Sequence, residues 1–378
     1  MIYFHIPFCK QKCTYCNFHF STSLKLREEM HHAMLHELRA RKDELQEKKL
    51  SSLYFGGGTP SVLPPNYLQQ LIDETAAFFD FDSDIEITVE ANPDDLDSTY
   101  LKSLQNIGVN RLSIGTQSFL DADLQMMNRA HSSAQAEDSI KRAQDTGFHN
   151  ISIDLIYGSP VSGTEVWKEN LQKAVMLDVP HISSYALTVE PKTALENLIK
   201  TKKIEAPNDQ LQHEQYQIMC NELKSSGFEH YEISNFAKSG FYSRHNTSYW
   251  QNKAYLGIGP SAHSFDGHNC RSWNIANNSL YTKALAQGKL PLEKETLSDE
   301  ERFNEMLMIG LRTVWGVDLN DLENRFPAEF ITQLNQDIKE KLNGKLLTVE
   351  NGYLKIPEEN WFLADGIASD LFRLKSGY

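Results

Sequence analysis

The feature that most constrains the fold of this chain is an alternation of short apolar runs with longer amphipathic ones over its first two thirds. Six runs have the length and the Ile, Val, Leu or aromatic content of buried strands: Ile2–Ile6, Ser52–Phe55, Ile85–Glu90, Arg111–Ile114, Ile151–Ile156 and His181–Leu187. Amphipathic stretches between and after them predict helices over Leu26–Lys48, Asn66–Phe79, Asp97–Asn106, Ala134–Thr146, Gly163–Leu177 and Asp209–Ser225. Such alternation predicts an α/β fold with a parallel βα array. Because eight units are hard to fit before the pattern changes, we predict a partial (β/α) barrel of the TIM type.

The pattern changes after about residue 280, and the rest of the chain predicts a second, smaller domain. Ser298 followed by Glu301 forms a capping box, and Asn351-Gly352 suits a tight hairpin turn. The predicted elements are a helix that ends at Thr313, hairpin strands Leu346–Glu350 and Tyr353–Ile356, and a last helix over Trp361–Leu374. Helices followed by a small hairpin indicate a winged-helix-like unit, so we predict domains over residues 1–285 and 286–378.

The charge and the apolar pattern restrict the possible partners and compartments. The formal net charge is −14 and no basic stretch stands out, so we expect no nucleic-acid partner. No apolar run approaches the roughly 18 residues of a membrane-spanning helix, and the first residues lack the pattern of a secretory signal. We therefore expect a cytoplasmic protein with reduced thiols, in which cysteines indicate metal binding more than disulfides.

Three of the five cysteines, Cys9, Cys13 and Cys16, lie in one loop after the first predicted strand, with the spacing C-x3-C-x2-C. Thiolates hold iron–sulfur clusters, and three ligands leave one iron open to bind a small molecule. The alternative is a zinc site with His19 or His5 as the fourth ligand, although zinc sites more often pair C-x2-C with a second, distant pair. Cys220 and Cys270 are isolated and are read as core or surface thiols.

Polar residues and glycines follow several of the predicted strands, at the edge where a βα array places its active site. A glycine run, Gly56–Pro60, lets backbone groups approach a ligand closely, although a plain tight turn would use the same residues. Glu90 and Gln117 end two further strands, and Asp154 interrupts an apolar run, which an acid seldom does without a partner. Asp154 could also be a buried acid bonded to backbone, and Arg129 either a carboxylate clamp or a solvated helix end.

These motifs, taken in order, resemble the HemN/HemW family of the radical SAM superfamily, whose cysteine spacing and aromatic Tyr15 recur here. The stretches that carry the resemblance are Tyr3–Cys9, Gly56–Pro60, Arg111–Gln117 and Ile153–Gly158. It implies a partial barrel of the radical SAM type, a C-terminal HemN-type domain, and a [4Fe–4S] cluster on Cys9, Cys13 and Cys16. It also implies that S-adenosylmethionine chelates the fourth iron and contacts Tyr3, Gly57, Gly58, Thr59, Glu90, Gln117, Arg129, Asp154 and Ala186.

Three features favour the haem-chaperone branch of this family over its coproporphyrinogen III dehydrogenases. Phe18 stands where the dehydrogenases have a further cysteine, and the chain begins at its first strand, without their N-terminal extension. The segment Arg244–Trp250 contains H-N-x-x-Y-W, which resembles the haem-binding motif of the chaperones and implies haem contacts from His245, Asn246, Tyr249 and Trp250. Without that resemblance, His245 would be read as a surface histidine beside a structural Tyr-Trp pair, and His263 is a second candidate for the pocket.

The resemblance thus implies a haem chaperone that binds cluster, S-adenosylmethionine and haem. We expect it to pass haem to recipient haemoproteins, membrane-associated respiratory enzymes among the candidates. The alternative is an oxygen-independent coproporphyrinogen III dehydrogenase, a radical oxidative decarboxylase of porphyrin biosynthesis, and a third is a radical enzyme with another substrate. The branch features argue against dehydrogenase activity and leave open whether radical chemistry is retained.

Overall fold

The six predicted strands form the centre of the fold in a computed structural model that describes residues 1–374. Each pairs in parallel with the next along the chain, and their bounds are β1 Ile2–Ile6, β2 Lys49–Gly57, β3 Asp80–Ala91, β4 Arg111–Gln117, β5 Asn150–Tyr157 and β6 His181–Ala186. The helices that connect them are α1 Arg27–Arg41, α2 Pro65–Ala76, α3 Ser98–Asn106, α4 Asp121–Met126, α5 Ser133–Thr146 and α6 Thr164–Met176. The predicted parallel βα array is confirmed.

Strands from later in the chain extend both edges of this sheet. After α7 (Ala194–Lys200) and α8 (Asp209–Ser225), β7 (Glu229–Glu232) and β8 (Asn235–Ala237) add antiparallel strands beside β6. At the other edge, β9 (Leu256–Ile258) pairs in parallel with β1. Within residues 1–374 the strand order runs β7-β8-β6-β5-β4-β3-β2-β1-β9, and the two end strands do not pair. The sheet is therefore a partial barrel, as predicted.

The remaining elements form two small antiparallel sheets with their helices. Around the first sheet lie α9 Arg244–Trp250, β10 His263–Phe265, β11 Cys270–Asn274, α10 Asn278–Ala286 and β12 Leu292–Thr296. The C-terminal part consists of α11 Asp299–Leu311, β13 Val317–Asp318, α12 Leu319–Arg325, α13 Ala328–Asn343, β14 Thr348–Glu350, β15 Tyr353–Lys355 and α14 Ala364–Ser369. Because β12 pairs with β11, the first small sheet spans the boundary that we propose near residue 285.

Two local predictions in the C-terminal part are confirmed in detail. The capping box at Ser298 and Glu301 opens α11, with each residue's side chain bonded to the other's backbone. Asn351 and Gly352 connect β14 to β15 with φ of 53° and 84°, the left-handed conformation that a type I′ turn needs. The predicted order of elements in this part of the chain, helices followed by a small hairpin, therefore matches the structure.

Two predicted helices extend too far. The helix predicted to Lys48 ends at Arg41, because the chain beyond it turns to bury Leu45 and to begin β2. The helix predicted over Trp361–Leu374 is instead a 3-10 helix, Glu358–Leu363, followed by the short α14. It cannot continue to its predicted end, because the side chain of Asn304 binds both the N–H and the C=O of Arg373.

A buried ion pair between Glu37 and Arg41 fixes α1 to the segment that contains β9. Arg41 Nη1 lies 2.7 Å from Glu37 Oε1 and donates to the carbonyl of Gly257 at 2.9 Å. Glu37 also accepts from the N–H of Gly259 at 2.9 Å and from the hydroxyl of Tyr281. Buried charges are tolerated when they are paired and hydrogen-bonded in this way. The network therefore holds β9 against β1, next to the cysteine loop.

The described part of the chain contains no helix whose length and apolar character would let it cross a membrane.

Candidate cofactor-binding site

A cleft of about 560 Å³ lies at the carboxyl ends of the parallel strands. We call it the cysteine cleft. The residues predicted from the sequence that line it are Cys9, Cys13, Cys16, Gly57, Gly58, Thr59, Glu90, Gln117, Arg129, Asp154 and Ala186. Tyr3 is the member of the predicted cluster and S-adenosylmethionine set that does not line it. The fold thus brings together residues that are up to 177 positions apart, because parallel strands end at one edge of a sheet.

The three thiols face this cleft, and polar groups bond two of them. Thr59 Oγ1 donates to Cys9 Sγ at 3.3 Å, and Arg129 Nη1 donates to Cys13 Sγ at 3.2 Å. Burial raises the pKa of Cys9 to about 11 and also raises that of Cys16. The hydrogen bonds from Thr59 and Arg129 act in the opposite direction, because they stabilise the thiolate, the form in which cysteine binds metal.

The spacing of the thiols bears on which metal centre they fit. Within residues 1–374, no three His, Cys, Asp or Glu side chains lie close enough together to hold one metal ion. Zinc needs all its ligands within about 2.3 Å of a single point, whereas an iron–sulfur cube meets each thiolate at a different iron. The three thiols line one cleft, whereas His5 and His19, the fourth ligands of the zinc alternative, line a neighbouring cavity, so the donor set fits a cluster with one open iron better than zinc.

The glycine run packs closely against the cysteine loop. Gly58 donates its N–H to the carbonyl of Ile6 at 2.9 Å, and Thr59 donates to that of Phe8 at 2.7 Å. A Cβ on Gly58 would lie 2.6 to 2.9 Å from backbone atoms of these two residues, and Gly57 has a φ of 103°. Only glycine fits both positions without strain. The run is therefore more than a tight turn, since it fixes the distance between β2 and the loop that carries Cys9.

Two acids in the cleft have weakened acidity. Glu90 accepts hydrogen bonds from Tyr54 Oη at 2.8 Å and from the N–H of Gly57 at 3.1 Å. Asp154 accepts one from Ser113 Oγ at 3.4 Å, so it is not the backbone-bonded acid of the alternative interpretation. Burial raises the pKa of Glu90 to about 7 and that of Asp154 to about 6. Perturbed acids in a cleft are candidates for binding polar or cationic ligand groups.

Arg129 and Gln117 also line the cleft. The guanidinium of Arg129 donates to Asn92 Oδ1 and to the carbonyl of Gly115, both at 2.8 Å, besides its contact with Cys13. It is therefore held by protein partners and is not a solvated helix end. Gln117 is buried and has a φ of 65°, a left-handed conformation that costs a non-glycine residue free energy. Strained residues of this kind cluster at ligand sites.

Several residues of the cleft wall are absent from the sequence prediction. Asn92 holds Arg129, Ser113 bonds Asp154, Tyr185 lines the cleft from the end of β6, and Glu190 lines it from the loop that follows. The signal for Asn92 and Tyr185 was their place at the carboxyl ends of β3 and β6. Ser113 lies inside a strand, where only the pairing of β4 with β5 brings it to Asp154.

A second cavity, of about 440 Å³, adjoins the cysteine cleft, and we call it the aromatic cavity. The two share Asn17, Phe18, Gly57 and Glu90 in their walls. The rest of the aromatic cavity is formed by Tyr3, His5, His19, Tyr249, Tyr255, Ser261, Ala262 and His263. Tyr3 therefore lies beside the predicted cluster site but faces the neighbouring cavity. Phe18, which is 69% exposed, stands between the two.

The H-N-x-x-Y-W segment forms α9, and its histidine is buried in the protein. His245 is 1% exposed, and its ring stacks on Tyr54 with centroids 4.8 Å apart. Its Nδ1 lies 2.9 Å from Ser52 Oγ and its Nε2 lies 3.1 Å from Tyr249 Oη. Burial lowers its pKa to about 3. The interpretation as a surface histidine is wrong, and both ring nitrogens already have protein partners.

The other residues of this segment separate from one another. Tyr249 lines the aromatic cavity, whereas Asn246 lines a small cavity of about 60 Å³ beside Asp154. Trp250 has the guanidinium of Arg312 over its ring, 5.5 Å from the centroid. Of the four residues predicted to contact haem, the structure therefore brings one to a cavity wall of substantial size.

Comparison with known proteins gives the family. The sequence profile of the Radical SAM superfamily matches residues 3–182, and that of the HemN C-terminal domain matches residues 297–363. The "Heme chaperone HemW" of Lactococcus lactis subsp. lactis is 34% identical over 97% of this chain and 95% of its own. That of Bacillus subtilis is 37% identical over 83% of this chain and 84% of its own.

Among solved structures, coproporphyrinogen III oxidase (HemN) from Escherichia coli superposes with a TM-score of 0.84 at 22% identity, over 98% of this chain and 89% of that one. At that identity the likeness shows a shared fold. The two HemW relatives, at 34% and 37% identity over most of the chain, show that this chain belongs to the HemN/HemW family of the radical SAM superfamily, on its HemW branch.

Proposed function

We propose that this protein is a haem chaperone of the cytoplasm that binds a [4Fe–4S] cluster, S-adenosylmethionine and haem, and passes haem to recipient haemoproteins. The observation that carries the proposal is the pair of adjoining cavities. One is lined by three thiols and polar groups, and the other by aromatic and histidine side chains. A polar cofactor and a flat, apolar porphyrin thus have separate but neighbouring sites. The relatives named as haem chaperones support the same function.

The cysteine cleft offers the groups that the cluster and S-adenosylmethionine need. Cys9, Cys13 and Cys16 would hold three irons, and the fourth would bind the amino and carboxylate groups of S-adenosylmethionine. In radical SAM proteins the reduced cluster supplies an electron to S-adenosylmethionine. The acids Glu90 and Asp154 would bind polar hydrogens of the ligand, while Gly57 and Gly58 present backbone groups in the cleft wall.

Delivery of haem requires that the bound haem remain accessible to a second protein. The aromatic cavity meets this requirement, since exposed Phe18 lies in its wall and His263 at its edge is also exposed. The proposed recipients are haemoproteins, with membrane-associated respiratory enzymes as candidates. A recipient could meet the haem edge directly without crossing the cysteine cleft.

The test is a haemin titration of the anaerobically reconstituted protein, followed by Soret absorbance, and then transfer of the bound haem to an apo-haemoprotein. We expect saturable binding and loss of haem from this protein as the acceptor's spectrum appears. Absence of specific haem binding would contradict the proposal. Conversion of coproporphyrinogen III to protoporphyrinogen under anaerobic reducing conditions would instead support the dehydrogenase alternative.

A further inference from the structure

The aromatic cavity has the size and composition of a site for a flat ligand. Its volume of about 440 Å³ lies within the range of about 300 to 1,000 Å³ that small-molecule and cofactor sites occupy. The rings of Tyr3, Phe18, Tyr249 and Tyr255 line it. Aromatic side chains pack on the faces and edges of other rings with a stabilising free energy beyond that of burial. The cavity walls therefore suit a porphyrin plane.

Three histidines line this cavity, and their hydrogen bonds distinguish them as iron ligands. His5 is fully engaged, with Nδ1 3.3 Å from Tyr3 Oη and Nε2 2.9 Å from the carbonyl of His19. His19 places its Nε2 2.7 Å from Asn278 Oδ1, which leaves only its Nδ1, the nitrogen nearer its own backbone, for a metal. In the described part of the chain, neither ring nitrogen of His263 makes a hydrogen bond or ion pair. A free imidazole nitrogen is what haem iron requires of an axial ligand.

The backbone around His263 is rigidly held. His263 begins β10, and its ring stacks on that of Trp273 across the strand pair, with centroids 6.1 Å apart. The next residue, Ser264, accepts hydrogen bonds from Arg41 Nη2 and from the N–H of Gly257, both at 2.9 Å. These bonds connect β10 to the buried Glu37–Arg41 pair. A ligand side chain on a fixed strand is a good anchor for a metal because little order is lost on binding.

His245 acts on the same cavity from behind its wall. Its Nε2 lies 3.1 Å from the hydroxyl of Tyr249, whose ring lines the cavity and meets that of Tyr255 edge to face at 4.7 Å. A ring that is 1% exposed cannot reach an iron atom unless α9 moves away from β2. His245 is therefore suited to a positioning role, in which it sets the orientation of Tyr249.

We propose that haem binds in the aromatic cavity with His263 as the axial ligand of its iron, and that His245 positions the cavity wall without touching the iron. This inference rests on the proposed haem-chaperone function and specifies its site. It assigns the binding of haem to β10, outside the H-N-x-x-Y-W segment. Burial lowers the pKa of His263, which keeps its imidazole in the neutral form that binds metal.

The experiment compares haem binding by the full-length, anaerobically reconstituted parent and by five variants: His263→Ala, His263→Gly, His245→Gln, His19→Ala and His268→Ala. His268 is an exposed histidine in the turn that follows β10, so it is the matched control for an exposed imidazole. Haemin titrations give the affinity, and the position of the Soret band reports axial ligation. Far-UV circular dichroism before each titration checks that the variant is folded.

We expect His263→Ala to weaken haem binding by about tenfold or more and to shift the Soret band away from that of an imidazole complex. His263→Gly should regain the parent spectrum when free imidazole is added, a rescue that a purely structural role would not give. His245→Gln and His268→Ala should keep the parent Soret position. A parent-like spectrum from His263→Ala would overturn the assignment, as would loss of imidazole ligation in folded His245→Gln or in a His19→Ala variant.

The failure of this assignment is distinguishable from failure of the function itself. If the parent binds no haem, the haem-chaperone proposal fails and the assignment of His263 fails with it. If the parent binds haem and every histidine variant retains the parent Soret band, the function stands and the assignment alone is overturned.

Discussion

The cysteine cleft and the H-N-x-x-Y-W segment are the two regions that the sequence marks most strongly, and the fold uses them differently. Residues of the first converge on an open cleft, with Cys13 and Asp154 in its wall. The second is a short helix whose histidine is packed between Ser52, Tyr54 and Tyr249. Both ring nitrogens of this histidine therefore have hydrogen-bond partners within the protein.

The difference shows that a motif can mark a ligand contact or the support of one. In the cleft, acids keep few hydrogen bonds and have a raised pKa, so they have bonding capacity left for a ligand. His245 has both nitrogens satisfied, and removing it would leave the hydroxyls of buried Ser52 and of Tyr249 without this partner. Changes in the first region should therefore act mainly on ligand binding, and changes in the second should act mainly on stability.

The largest expected effect is in the cysteine loop. Cys13→Ala should abolish cluster assembly, because two thiolates do not suffice to hold a four-iron cube. Iron content and visible absorbance after anaerobic reconstitution measure it, and Cys270→Ala is the control at an isolated thiol. A Cys13→Ala protein that retained the parent's iron content would show that the cysteine cleft is not the cluster site.

His245→Ala should lower the free energy of unfolding by about 3 kcal/mol, because it deletes a buried ring and leaves Ser52 and Tyr249 unpaired. Urea denaturation measures the change. Exposed His268→Ala should stay within about 0.5 kcal/mol of the parent. Equal stability of the two variants would mean that the buried ring of His245 does not stabilise the fold, and the contrast between the two regions would fail.

Glu90 predicts a pH dependence of stability that belongs to the cleft. Burial raises its folded pKa from 4.5 to about 7, so the folded state holds the proton more tightly than the unfolded state. The resulting stabilisation is complete below pH 4.5 and is lost as the pH rises through about 7. We expect about 2 kcal/mol, since Glu90 is partly exposed.

Urea denaturation of the cluster-free protein across this pH range measures the effect. Glu90→Gln cannot titrate and should remove that part of the pH dependence, whereas the exposed Glu165→Gln should leave it unchanged. A Glu90→Gln variant that followed the parent's pH curve would show that this acid is not held in its protonated form.

The smallest expected effect is at Asp154. Asp154→Asn should weaken S-adenosylmethionine binding by about tenfold, the cost of a charge-assisted hydrogen bond exchanged for a neutral one. Isothermal calorimetry of the reconstituted protein measures it, with the exposed Asp178→Asn as control. If the affinity is unchanged, Asp154 does not contact the ligand. It is then a structural residue, like the hydrogen-bonding groups around His245.

The central strands could be predicted because each is a local apolar run. β5, for example, is buried along most of its length, and Asp154 interrupts it where the chain meets the cleft. The cysteine loop was equally accessible, since its three thiols lie within eight residues. In both cases the information is contained in one short stretch of sequence.

The rest depended on pairings between distant segments. β9 has three residues, too few to show a period, and is a strand because Leu256 meets Ile2 across the sheet. The aromatic cavity combines β1, the loop after Cys16, α9 and the segment before β10. The burial of His245 follows from the packing of α9 against Ser52 of β2. No single stretch contains these contacts.

The pairing of β9 with β1 also affects how the chain folds during its synthesis. The first strand leaves the ribosome early, and the strand that covers its outer edge follows roughly 250 residues later, which at about 5–20 residues per second takes tens of seconds. During that interval the edge of β1 is open to water and to other nascent chains. Iron insertion that waits for release of the finished polypeptide would therefore find the β9 side of the cysteine loop already in place.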